Sequence, residues 1–167
     1  SHLSGSFLLR IFGYLIYIPY IYSMFYAKFI EIKTCIKESE NKYKFTADEI
    51  DRMKNVYAKF DSVEFKDVED FSCMFCSIHN NYIPELFQLF IDLSIDFTYK
   101  DLTKDILFGK VPTENIYFDS IIEEAEFDDM VNEFIDDHLD VDLVLDKILE
   151  LGEESLTERD ILILERK

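Results

Sequence analysis

The sequence predicts a mainly helical, all-α domain: a multi-helix bundle or a stack of helical hairpins with little or no strand. Three observations predict it. Apolar residues recur at helical spacing in several separate segments. Helix-start signals, a capping box and an N1 proline, stand at the head of two of them. Only 4 Gly and 3 Pro occur in 167 residues, too few to punctuate a many-stranded sandwich or barrel. With 49% hydrophobic residues, 16 Phe and 10 Tyr, the chain can bury a sizeable core, and its length suits one domain.

Residues 7–36 are the most apolar stretch. Ile11 to Ala27 carries no charge, holds five Tyr and has Pro19 near its middle. The reading is a buried helix kinked near Pro19. It would pack against helices at 46–60 and 67–91, with Phe12, Leu15 and Phe25 in the core. A membrane helix through residues 7–30 is the alternative. Arg10, Lys28, the tyrosines and a run at the short limit for a span count against it.

Thr46, with Glu49 three residues on, forms a capping box, and Ile50, Met53, Val56, Tyr57 and Phe60 follow at helical spacing. Val68, Phe71, Met74, Phe75 and Ile78 continue that spacing through 67–80. After a turn at Asn80 and Asn81, Pro84 suits the first position of a helix carrying Leu86, Phe87, Phe90 and Ile91. Ile95–Tyr99 alternates and reads as a short extended stretch. Gly109-Lys110-Val111-Pro112 is the clearest break. It divides an apolar, aromatic helical region (1–110) from an acidic helical segment (111–167) packed on it within one domain. Short helices are expected at 116–125, 127–138, 141–151 and 158–166. Gly152 stops the third, and Ser155 or Thr157 caps the last.

Residues Phe71 to Asp101 contain an Asn80-Asn81 turn, the helix-like run Glu85–Asp92, and a Ser94-Ile95-Asp96 exit leading to Lys100-Asp101. This order resembles one degenerate ankyrin-type repeat, although the Thr-Pro-Leu-His opening is missing, Ser94 stands for the turn glycine and Pro84 reads as an insertion. Lys66-Asp67 lies 34 residues before Lys100-Asp101, as a preceding repeat would place it. The resemblance implies stacked helix pairs and protein binding without catalysis.

Charge is unevenly spread along the chain. The net charge is −18, yet residues 1–60 carry +3 and residues 61–167 carry −21. Such a field repels nucleic-acid phosphate and anionic membrane and steers towards a basic protein. Candidate partner-binding residues are Glu123, Glu124, Glu126, Asp128, Asp129, Asp136 and Asp137. A calcium loop is not spelled by these acids, since its alternating ligands, central Gly and terminal Glu are missing.

The spacing Cys73-x-x-Cys76-x-x-His79 offers soft ligands of the kind zinc takes, but on one helix the three positions would drift around the axis. Two core thiols are the preferred reading. With 3 His, no Gly-x-Ser-x-Gly elbow and no glycine-rich phosphate loop, the chain gives no catalytic signature, and neither metal nor cofactor is called for. Three Cys, an odd and sparse set, and an apolar N-terminal stretch with no cleavage site after it suit a cytoplasmic protein. The function expected is a non-catalytic acidic binding module, an immunity or inhibitor protein for a basic partner. The alternative is a membrane-anchored protein with an acidic cytosolic domain.

Overall fold

The computed structural model describes residues 26–35, 45–68, 71–110 and 124–166. Four strands, β1 (Ala27–Cys35), β2 (Phe60–Val68), β3 (Phe71–His79) and β4 (Phe97–Asp101), form one antiparallel sheet in the order β2-β3-β1-β4. The all-α expectation and the helical-repeat arrangement are therefore overturned; the fold is mixed α/β. The segment 67–80, expected as a helix, holds β3, paired on both sides. A strand buried on both faces shows no polar alternation. In Phe-Ser-Cys-Met-Phe-Cys-Ser-Ile the positions 71, 74, 75 and 78 satisfy a helical period by coincidence. Likewise Ala27–Cys35, read as the end of an N-terminal helix, is the inner strand β1. Phe12, Leu15 and Phe25, and residues 7–25 of the membrane alternative, lie outside the described residues.

Between β1 and β2 runs helix α1 (Ala47–Tyr57), and between β3 and β4 runs α2 (Ile83–Asp92). The β-α-β-β-α-β order with sheet order 4-1-3-2 is the split-βαβ, ferredoxin-like arrangement. Each helix crosses over the strand that separates its two parallel neighbours, so both lie on one face. Ile30, Ile32, Met74, Cys76 and Ile78 on that face meet Val56 of α1 and Leu86, Phe87, Leu89 and Phe90 of α2. The starts of both helices match the sequence signals. Thr46 and Glu49 form the reciprocal capping box, which holds the Glu49 carboxyl below its usual range, and Pro84 sits in the first turn of α2.

The opposite face is also covered, giving three layers. After β4 come α3 (Thr103–Leu107) and, further on, α4 (Glu124–His138), α5 (Val141–Leu151) and α6 (Glu158–Glu165). Phe127, Met130 and Phe134 of α4, at i, i+3 and i+7, pack on Ala27, Phe29, Phe71, Cys73 and Phe75. Phe29 meets Phe127 and Phe134 edge-on at 6.0 and 5.4 Å between ring centres, and Phe75 meets Phe127 at 5.5 Å. The turn into α3 completes β1 where β4 ends. Thr103 Oγ1 accepts from the Phe29 amide at 3.0 Å and the Leu102 amide donates to the Phe29 carbonyl at 2.9 Å. Asp101 accepts from the Thr103 amide with one oxygen and pairs with Lys28 at 2.9 Å with the other.

The C-terminal helices follow their sequence signals closely. Asp140 caps α5 by accepting from the Leu143 amide, and Gly152, at φ 88°, ends it in a conformation that penalises any Cβ. Thr157 caps α6 in a capping box with Asp160. Of the helix expected at 116–125, residues 116–123 lie outside the described residues. Among the described residues, no helix is long and apolar enough to cross a membrane.

Candidate functional site

The helical phase of α4 is set by its buried stripe. With Phe127, Met130 and Phe134 turned to the sheet, Asp128, Asp129, Glu133, Asp136 and Asp137 are left on the solvent side, and all five are exposed. Thus four of the sequence-predicted partner-binding residues, Asp128, Asp129, Asp136 and Asp137, share one helix surface. Glu124 and Glu126 fall in the first turn of the same helix, and Glu123 lies outside the described residues. Residues 124–138 contain seven carboxylates and no Lys or Arg. Among the side chains described on this helix, those of residues 127–138, the one ion pair joins Asp136 to Arg159 of α6 at 3.3 Å.

The acidic surface continues beyond α4 into a feature the sequence reading missed. Where α4 turns into α5, an open groove of about 410 Å³ is lined by Asp137, Asp140, Asp142 and Asp146, with Ala27, Leu107, Leu139 and Leu143 supplying apolar wall and Tyr26 and His138 beside them. Asp137 belongs both to the helix face and to this groove. The signal was available in Asp137, Asp140, Asp142 and Asp146, but only the tight turn at Leu139 and Asp140 brings them to one opening.

Beneath this surface lies a buried ion pair. Lys147 of α5 and Asp160 of α6 are each 1% exposed, and Nζ meets Oδ2 at 2.6 Å. Burial raises the Asp160 carboxyl, but bonds from the Lys147 ammonium and from the amide and hydroxyl of Thr157 prevail and hold it below the usual range. The only lysine in α5 is thereby removed from the surface.

The Cys-x-x-Cys-x-x-His spacing does not form a cluster. Alternation along β3 sends Cys73 to the α4 side and Cys76 to the α1 and α2 side. Burial, with the neighbouring Glu31 carboxylate that accepts from Sγ at 3.5 Å, pushes the Cys73 thiol up to about 12. Burial alone raises Cys76. Both are thus poor thiolates at neutral pH. His79 Nδ1 accepts from the Asn81 amide at 3.0 Å, capping the turn Asn80–Tyr82. Among the described residues, no three His, Cys, Asp or Glu side chains are grouped to hold a metal ion.

No protein-family model matches the chain, and no curated protein and no solved structure matches it.

Proposed function

We propose that this chain is a non-catalytic acidic binding module that docks a basic protein, in the manner of an immunity or inhibitor protein neutralising its target. The observation that carries this reading is the continuity of the acidic surface. It runs from Asp128 and Asp129 along α4 to Asp136 and Asp137 and into the groove bounded by Asp140, Asp142 and Asp146. A Lys or Arg of the partner fits such a groove chemically: its aliphatic stem lies against Leu107, Leu139 and Leu143 while its charge meets the rim. The field of this surface steers encounter, and its main effect is on association rate.

Two further features support a protein partner over nucleic acid. In a sheet that reads RNA, aromatic side chains on the central strands stack on exposed bases. Here Phe29 and Phe75, on the inner strands β1 and β3, are instead covered by Phe127 and Phe134 in edge-on contacts. The surface outside them is acidic, which phosphate avoids.

The test is affinity capture from the native host on the immobilised chain, at low and high salt, comparing wild type with D128N/D129N/D136N/D137N. A basic protein retained by wild type, released by salt and lost from the variant is the expected result. Identical retention by both chains would return the acids to a solubilising role.

A further inference from the structure

The acidic face explains steering but supplies little buried area, and a stable complex needs apolar anchors. Among the described residues, helix α5 carries an apolar set that is left largely or partly exposed. Its inner side is Val144 and Lys147, both buried, with Leu143, Ile148 and Leu151 half-buried. On the outer side Val141, Leu145 and Leu149 recur at i, i+4 and i+8 and are 42, 46 and 84% exposed. Spacing of this kind lines the three side chains along one shoulder of the helix. The other shoulder carries Asp142 and Asp146, which line the acidic groove, and Glu150, which pairs with Lys104 and Lys110. Leu149, almost wholly in water, contributes little to the fold that a serine there would not.

Building on the acidic-module reading, we propose that the outer side of α5 is the anchoring surface, and that its occupant is a cationic amphipathic helix of the partner protein. An amphipathic helix binds through apolar anchors three and four residues apart, and the i, i+4, i+8 row on α5 offers a continuous apolar strip for them to lie against. Laid along the Val141-Leu145-Leu149 shoulder, such a helix brings its basic side over Asp142 and Asp146 and the groove behind them. Charge decides against a second copy of this chain, because a two-fold contact would set the same aspartates against each other in a protein of net charge −18. The apolar shoulder then provides residence and the aspartates provide register.

The experiment is fluorescence anisotropy with the full chain and a labelled synthetic Leu/Lys peptide of amphipathic helical pattern, against a scrambled peptide of the same composition. Wild type should bind the amphipathic peptide about tenfold or more tightly than the scramble. L145S/L149S should lose about tenfold in affinity with its circular dichroism unchanged and only a small fall in melting temperature. D142N/D146N should lose several-fold at low salt, with the difference closing at high salt. Equal binding of both peptides, or wild-type affinity in L145S/L149S, would overturn the proposal. If binding in that case still falls in D128N/D129N, the acidic-module reading survives without this anchor. Two other results also overturn it: a concentration-dependent dimer in sedimentation that L145S/L149S abolishes, or marked destabilisation by that variant, which would mean that another part of the same chain covers the shoulder.

Discussion

The two sides of the sheet balance charge in different ways. On the α1 and α2 side, charges meet opposite charges: Arg52 pairs with Asp92, Lys59 with Glu85, and Lys28 with Asp101. On the α4 side and in the helices beyond it, the basic residues are spent inward or at the margins. Lys147 is buried on Asp160, Arg159 holds Asp136, and Lys104 and Lys110 share Glu150. The outer face of α4 and the groove are left acidic. The first layer is built like the surface of any small domain. The second tolerates self-repulsion that a neutral surface would avoid, and this cost is what points to a use for its field.

Removing the buried pair should break this contrast most severely. Asp160→Ala leaves the Lys147 ammonium without its partner in a site 1% exposed and also deletes half of the α6 capping box. A loss of about 3–5 kcal/mol is expected in urea unfolding, as for other buried pairs broken on one side. Lys147→Met, which keeps Asp160 bonded to Thr157, should cost less. The pH dependence has a definite sign. Because the folded Asp160 titrates below its free value of 3.8, its contribution is complete above that pH and is lost as pH falls through the lower folded value. Wild type should therefore lose more stability on acidification below about pH 4 than the Asp160→Ala chain does.

Next in size comes the aromatic contact that seats α4. Phe29 is fully buried between Phe127 and Phe134, and Phe29→Ala should cost about 3–4 kcal/mol. Leu86→Ala, equally buried under the other layer, should cost a comparable amount, about 2–4 kcal/mol. Hydrogen exchange should separate the two variants. The first should release amides of 124–151 preferentially, and the second those of 47–57 and 83–92. Equal loosening of both sets would mean that the layers do not open independently.

The two capping boxes give a smaller and more controlled comparison. Thr46→Ala removes an exposed cap and should cost about 0.5–1 kcal/mol. Thr157→Ala should cost about 1–2 kcal/mol, because the Thr157 hydroxyl also bonds the buried Asp160 carboxylate at 2.8 Å. Equal losses would show that Lys147 alone suffices to hold Asp160.

The same contrast governs what could be read in advance. Helices α4, α5 and α6 lie on the outside of one layer, so each keeps a polar side, and their limits fall close to 127–138, 141–151 and 158–166. The inner strand β3 is covered on both faces and loses that polar side, which let a helical period pass for the real one, while β1 was taken into the apolar run that precedes it. Strand β2 did carry a legible sign, since Val63 and Phe65 alternate with Asp61, Ser62, Glu64 and Lys66. The exposed acids of α4 were legible because Phe127, Met130 and Phe134 set the phase. The groove was not, since it needs a turn and the end of β1 to meet. Lys147 misleads for the same reason: a charge inside an apolar helix reads as surface until its partner, 13 residues on, folds back over it.

The smallest expected effect tests the acidic layer itself. In D128N/D129N/D136N/D137N the fold should remain and stability should rise by less than about 1 kcal/mol, since relief of repulsion among exposed charges is screened and modest. The loss of the Asp136–Arg159 pair works against the gain, so D128N/D129N/D137N should be slightly more stable than the quadruple variant. Salt supplies the decisive reading. Raising ionic strength from low to physiological shortens the screening length to about 8 Å and should raise the melting temperature of wild type more than that of either variant. Neutralising Glu49 and Asp92 on the other side should instead leave stability unchanged or reduced, because Glu49 caps α1 and Asp92 is already bonded to Arg52 and Gln88. If both sets of substitutions respond to salt alike, the acids of α4 are an ordinary solvated surface, and the reason for placing a recognition face there is gone.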